Sequence, residues 1–223
     1  MNPLLLIDAD YFFYRAASAS EDEHEYSEDV TVIVGDHRKA KSIVNQEIAN
    51  LKQKFNSEDV LLFFTDRKNF RKDIDPTYKG NRTKRKPAGY RKLVDWGRES
   101  YKSQMMPGLE ADDVLGITAT QGHLGDFVLI SPDKDLQQIP CHIYDLKTEF
   151  TQTPEAAERK LYEQALTGDA TDGYKGCTGV GPKKAEIILK KAKGNYWSAV
   201  LEAYLEAGQT EDDALRNLRL AKI

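Results

Sequence analysis

Three short apolar runs, each leading into a carboxylate, constrain this chain more than any other feature. Pro3 to Ile7 leads into Asp8, Val60 to Phe64 into Thr65-Asp66, and Asp126 to Ser131 into Pro132-Asp133. Continuous apolar runs of this length, bounded by polar residues, read as strands buried on both faces. Between the first two runs, Ile43, Val44, Ile48, Leu51 and Phe55 recur at helical spacing. A strand-helix-strand order predicts parallel pairing, and so an α/β fold with a central, mostly parallel sheet flanked by helices. Open sheets of that kind carry their ligands at the C-terminal edge of the strands. Asp8, Asp66 and Asp133 therefore stand where ligands bind. Asp10 either shares that site or caps the helix that begins at Tyr11.

Further carboxylates follow the same pattern. Glu110, Asp112 and Asp113 come after the Pro107-Gly108 turn and just before Val114, Leu115 and Ile117. They suit the first turn of a helix, where an ordinary acidic N-terminus is the competing reading. Asp135 lies two positions beyond Asp133, and an extended backbone would point both the same way. Asp169 and Asp172 follow a helix over Pro154 to Leu166 and, three apart, would share a helical face. Gathered at one edge, these side chains could not stay ionised without cations. Hard divalent ions held through oxygen answer that need. The two cysteines, Cys141 and Cys177, and the four scattered histidines show no zinc spacing or disulfide framework. That usage fits a reducing cytoplasm. No His, Cys or Ser constellation suggests a covalent route.

The net charge of −4 hides an asymmetry. Arg67 to Lys102 holds thirteen Lys/Arg against four Asp/Glu, a surplus of +9, leaving −13 on the remainder. Basic residues there alternate with Phe70, Tyr78 and Tyr90, a mixture suited to phosphate contact and base stacking. Arg71, Lys79 and Arg82 are the foremost phosphate candidates, with Lys84 and Arg85 beside them; a solvated basic loop is the plainer alternative. Near the C-terminus, Gly179-Val-Gly181-Pro-Lys183-Lys184 reads as a tight turn before a helix. Its glycines would let a phosphate approach the backbone. Two helices joined by that turn, over about 160–191, would form a helix-hairpin-helix unit. Ser18 to Asp29 reads as a polar loop, Leu93 to Tyr101 as a helix, His142 to Leu146 as a short strand, and Tyr196–Leu205 and Glu211–Leu220 as closing helices. The expected organisation is a core over 1–150, including the basic segment 67–106, and a helical region over 151–223. No apolar run spans a membrane, and the N-terminus shows no basic leader.

Taken together, Leu-Ile-Asp8, Phe-Thr-Asp66, Tyr-Lys-Gly-Asn-Arg82, Leu-Glu-Ala-Asp-Asp113, Ile-Ser-Pro-Asp-Lys-Asp135 and Gly-Asp-Ala-Thr-Asp-Gly173 resemble the ordered motifs of the 5′-nuclease family of flap endonucleases and 5′→3′ exonucleases, with its PIN-like fold. The likeness is to the branch found in T7-like phages and runs from about residue 4 to the C-terminus. Each motif alone is modest; six in the right order are specific. The resemblance implies two Mg²⁺ ions, with Mn²⁺ able to substitute. Asp8, Asp66, Glu110, Asp112 and Asp113 would surround one, and Asp133, Asp135, Asp169 and Asp172 the other. Lys79 and Arg82 would contact the scissile phosphate. Gly179 to Lys183 resembles the family's helix–three-turn–helix, which would hold duplex DNA, often with K⁺ bound.

Two departures bear on function. The family's Asp-Gly start is Asp8-Ala9 here, followed by Asp10. Only Thr83 to Met106 separates the basic motif from the acidic helix, which is short for a helical arch that threads a free strand. The expectation is a monomeric Mg²⁺-dependent 5′→3′ exonuclease acting on duplex DNA at 5′ ends or nicks, and on RNA in RNA–DNA hybrids. The competing readings are a flap endonuclease and a catalytically silent junction binder.

Overall fold

A computed structural model describes residues 2–122 and 124–223. In chain order the elements are β1 (Leu4–Asp8), α1 (Ala9–Ser18), β2 (Glu21–Ser27), β3 (Val30–Gly35), α2 (His37–Phe55), β4 (Val60–Phe63), α3 (Arg71–Ile74), α4 (Tyr90–Ser100), β5 (Ser103–Gln104), α5 (Ala111–Thr120) and β6 (Phe127–Ile130). A 3-10 turn (Lys134–Gln138) follows, then β7 (His142–Tyr144), β8 (Glu149–Thr151), α6 (Pro154–Thr167), β9 (Gly168–Asp169), β10 (Tyr174–Lys175), α7 (Pro182–Ala192), α8 (Tyr196–Glu206) and α9 (Glu211–Ala221). These elements form two compact units that interleave along the chain. The first comprises 1–68, 84–132 and 142–150, and the second 69–83, 133–141 and 151–223.

The first unit is built on a six-stranded sheet of order β5-β4-β1-β6-β7-β8. β1 pairs in parallel with β4 (Leu5 with Val60, Asp8 with Phe63) and with β6 (Leu4 with Phe127, Ile7 with Ile130). The three apolar runs thus lie side by side and end at one edge. Strand alternation sends Leu5 and Ile7 to one face. There they pack with Phe12, Phe13 and Ala16 of α1, Val44 and Ile48 of α2, and Leu93 of α4. Each such buried Leu, Ile or Phe contributes about 2 kcal/mol. α5 packs on β1 and β4. The helix read over Lys39 to Phe55 is α2, whose N-cap Asp36 accepts from the amides of Arg38 and Lys39.

The stretch expected as a loop over Ser18 to Asp29 instead enters an antiparallel hairpin of β2 and β3. Acidic side chains dominate β2, but Val30, Thr31, Val32, Ile33 and Val34 of β3 are β-branched, and the ladder forms on them.

In the second unit, Leu166, Cys177, Val180, Ala185, Leu189, Val200 and Tyr204 form one apolar cluster. The Tyr204 hydroxyl donates to Ala165 O and accepts from the Asn217 amide, joining α8 to α6 and α9. A smaller cluster holds Tyr78, Tyr174, Leu220 and Ala221. The turn before α7 does not join α6 directly, because the β9–β10 hairpin comes between them. Among the described residues no helix is long and apolar enough to cross a membrane.

Candidate active site

In the first unit, hydrogen bonds between the strand ends and the start of α5 assemble the acidic set. β1 delivers Asp8, whose carboxylate accepts from Ser131 Oγ at 2.9 Å, just beyond β6. Asp66 follows β4; its amide donates to Leu109 O, and its carboxylate accepts from the Gly108 amide at 2.8 Å. Amides of Gly108, then Arg67 and Lys68, hold the Asp66 carboxyl below its ordinary range. The Ala111 amide donates to Thr65 Oγ1 at 2.9 Å. These bonds fix the start of α5 to the end of β4, bringing Glu110, Asp112 and Asp113 to the strand ends that carry Asp8 and Asp66.

The acidic helix start also has the plainer role. Glu110 is the N-cap, and Glu110 and Asp113 form a reciprocal capping box. Both are buried, and Asp112 is half-buried. Asp10, in the first turn of α1, accepts from the Thr65 amide at 3.2 Å and the Tyr90 hydroxyl at 3.0 Å. It therefore ties α1 to β4 and α4, and the N-cap of α1 is Asp8.

The second unit holds the other four carboxylates, and two of the local geometries differ from expectation. Asp133 and Asp135 do not share an extended backbone. Asp133 caps the 3-10 turn and accepts from the Asp135 amide at 2.9 Å, as a Pro-Asp sequence favours. Asp169 and Asp172 do not share a helix. Asp169 ends β9 and turns the chain by accepting from the amides of Thr171 (2.6 Å) and Asp172 (3.2 Å).

Electrostatics nonetheless bind the four together. Burial, then Asp133, Asp169 and Asp172, push Asp135 up to about 6. Gln164 Nε2 donates to Asp135 at 2.6 Å. Burial raises Asp169, but the amides of Thr171 and Asp172 and the Lys134 ammonium outweigh it and hold the carboxyl below its ordinary value.

Asp172 is where the basic segment meets this set. Its carboxylate accepts from the Tyr78 hydroxyl at 2.7 Å and from Arg82 at 2.8 Å, with Lys79 Nζ at 3.6 Å. The Lys79 amide donates to Asp172 O at 2.7 Å, and the Asn81 side chain to Ala170 O at 2.7 Å. Residues 78–82 thus dock on the turn 169–173. Lys79 has a positive φ of 56°, a conformation costing a non-glycine residue about 1 kcal/mol. In that conformation its ammonium lies 5.0 Å from the Tyr78 ring and next to Asp172.

Two expected DNA contacts are corrected. Arg71 is buried, and its guanidinium donates to the carbonyls of Leu220 (2.9 Å) and Lys222. It secures the end of α9 and has no face for a phosphate. Tyr78 is 2% exposed, so its ring offers no surface for base stacking. Arg71→Ala should therefore lower Tm by several degrees through lost buried bonds, while the salt dependence of duplex binding stays unchanged. A shallower salt slope at unchanged Tm would restore Arg71 as a phosphate ligand.

Lys84 is exposed, and Arg85 pairs with Glu21 at 3.0 Å. Gly179 adopts φ +73° in the turn before α7, Gly181 is the N-cap of that helix, and Pro182 opens it. Lys183 and Lys184 are exposed in its first turn. Cations there oppose the helix dipole, which favours an anion nearby.

Among the described residues no group of three His, Cys, Asp or Glu side chains is pre-set to enclose a cation. The carboxylates are held by amides, hydroxyls and one another. The donor sets nonetheless suit a hard divalent ion: they are all oxygen, and Asp135 bears a charge that its neighbours oppose. Ser131, Gln164, Thr65 and Glu21 escaped the sequence reading, because no local spacing marks a hydrogen bond made across the fold.

A parallel-sheet edge bearing carboxylates in one unit, and an acidic set paired to Lys and Arg in the other, are features of a nuclease. The chain belongs to the 5′-3′ exonuclease family: residues 3–164 match its N-terminal resolvase-like domain. It is 31% identical to the exonuclease of Escherichia phage T7, over 99% of this chain and 87% of that protein. It is 30% identical to the exodeoxyribonuclease of Enterobacteria phage T3, over the same shares. The fold is similar to that of the bacteriophage T5 flap endonuclease, solved as a complex with DNA and metal ions. That match has a TM-score of 0.69 and 16% identity, and it covers 98% of this chain and 88% of that one. The activity is accordingly that of a 5′-3′ exonuclease of the phage type.

Proposed function

We propose that this chain is a Mg²⁺-dependent exonuclease that trims duplex DNA from 5′ ends and nicks. The observation that carries the reading is the docking of Lys79 and Arg82 on Asp172, whose amide donates to Asp169 in the same acidic turn. Asp8, Asp66, Glu110, Asp112 and Asp113 would hold one divalent ion, and Asp133, Asp135, Asp169 and Asp172 the other. Bound divalent ions supply an activated water and neutralise charge on the phosphate.

The chain's own groups do the rest. Lys79 and Arg82 lie in salt bridges that a phosphate can replace, and each then stabilises charge building on the phosphoryl oxygens. Gln164 holds the Asp135 carboxylate in place, and Ser131 that of Asp8. Lys84, Lys183 and Lys184 would meet the duplex backbone, and the Gly179–Gly181 turn would admit a phosphate or a K⁺ ion.

A 5′-flapped duplex labelled at its 5′ end, digested in Mg²⁺ with an EDTA control, tests the reading. Labelled mono- and dinucleotides appearing first are the expected result. One fragment of flap length would make the protein a junction endonuclease. Binding with no Mg²⁺-dependent product would leave only a DNA-binding role. Replacing the labelled strand by RNA paired to DNA tests hybrid cleavage in the same format.

A further inference from the structure

The β2–β3 hairpin has no part in the reading above. Residues 21–35 include Glu21, Asp22, Glu23, Glu25, Glu28 and Asp29 and no Lys or Arg. Such a ribbon repels DNA, and two strands alone are marginally stable. Its root, however, grips the basic segment. Glu21 and Gly35 stand directly opposite in the ladder. The Glu21 carboxylate accepts from Arg85 Nη1 at 2.5 Å and Nη2 at 3.0 Å, and from the Ala88 amide at 2.6 Å. Across the ladder, a Cβ on Gly35 would lie 2.4 Å from Ala88 O, so the approach requires glycine there. The gripped stretch leads on to the metal edge. The Lys86 ammonium lies 4.9 Å from the Tyr90 ring, the Tyr90 hydroxyl donates to Asp10, and Asp10 accepts from the amide of Thr65, next to Asp66.

We propose that the hairpin is the anchor of the basic segment and that Glu21 is a positioning residue for DNA binding. It fixes Arg85 to Ala88 before DNA arrives, and Arg85 is an anchor group and not a phosphate ligand. The phosphate is left to the exposed Lys84. The proposal rests on the reading that this segment meets DNA. An isolated surface ion pair would not suffice. Here the carboxylate side chain is 18% exposed, the guanidinium docks on it with two bonds, a third bond comes from the backbone, and the Gly35 contact is independent of charge. Ordering the segment in advance removes an entropy cost from DNA binding.

Amide hydrogen exchange on the DNA-free protein, compared with Glu21→Gln, tests the anchor whatever the substrate proves to be. The Ala88 amide and its neighbours over 85–89 should exchange about tenfold faster, while amides of β1 and β6 are unchanged. Gly35→Ala should loosen the same residues without altering charge. In the nuclease assay Glu21→Gln should raise KM for the duplex about threefold or more at constant kcat and Tm, a split that general destabilisation does not produce. Arg85→Lys should fall between wild type and Glu21→Gln in local exchange. Unchanged exchange over 85–89 in both Glu21→Gln and Gly35→Ala would overturn the proposal. So would tighter duplex binding by Glu21→Gln with a salt slope steeper by about one, since that means Arg85 had been withheld from a phosphate.

Discussion

Asp135→Asn is expected to lower Mg²⁺-dependent cleavage by about 10³-fold or more while duplex binding in EDTA stays within about twofold. The substitution removes one charge from a set of four carboxylates and no contact to DNA. Gln164 can still donate to the asparagine oxygen, so the local structure is retained. The same variant should be more stable than wild type without divalent metal. The Asp135 carboxyl, ordinarily at 3.8, is pushed up to about 6 by burial and by Asp133, Asp169 and Asp172. A raised carboxyl destabilises the folded state progressively as pH climbs from 3.8 through about 6, and fully above that. The rise corresponds to about 3 kcal/mol at most. Near neutral pH without metal, Tm of Asp135→Asn should therefore exceed wild type by several degrees. Below about pH 4 the difference should vanish, and saturating Mg²⁺ should stabilise wild type more than the variant. Near-normal turnover, or equal Mg²⁺-induced Tm shifts in the two proteins, would remove Asp135 from the metal set.

The strands that carry this chemistry were legible because their signal is local. A buried apolar run before Asp8, Asp66 or Asp133 states a strand, and the parallel pairing of β1 with β4 and β6 follows from the helix between. What the sequence hides is decided at long range. Arg71 sits among basic residues and reads as one more phosphate ligand, yet carbonyls near the far end of the chain claim it. Tyr78 looks like a stacking platform until the fold buries its ring and turns its hydroxyl onto Asp172. Gln164 carries no mark of its role beyond being polar on a buried face of α6. The hairpin is a different case. The acidic residues of 18–29 read as a loop by themselves, and the β-branched run Val30 to Val34 that follows pairs with them. The local geometries expected of Asp133 and Asp169 are not those the chain adopts. Both carboxylates bond amides just ahead of them, and such Asx turns override the extended and helical spacings assumed.

Lys79→Ala should lower kcat about 10²–10³-fold with KM for DNA within about threefold, because a charge aimed at a developing oxyanion acts in the transition state more than in binding. The position makes this a clean measurement. Lys79 is held at φ 56° with its amide on Asp172 O, and alanine keeps that amide, so the turn 169–173 stays docked. The Tyr78 hydroxyl and Arg82 remain on the Asp172 carboxylate, so the acidic set keeps its orientation. Lys79→Gly would relieve the backbone cost as well. It should therefore match alanine in kcat while being the more stable of the two, which separates the lost ammonium from the lost strain. Arg82, with its side chain 53% exposed, should show a smaller loss in kcat and a larger share in KM. A Lys79→Ala variant that loses only affinity, with kcat intact at saturating DNA, would make the residue a docking contact. The charge stabilisation would then have to come from Arg82 and from any divalent ions bound at the site.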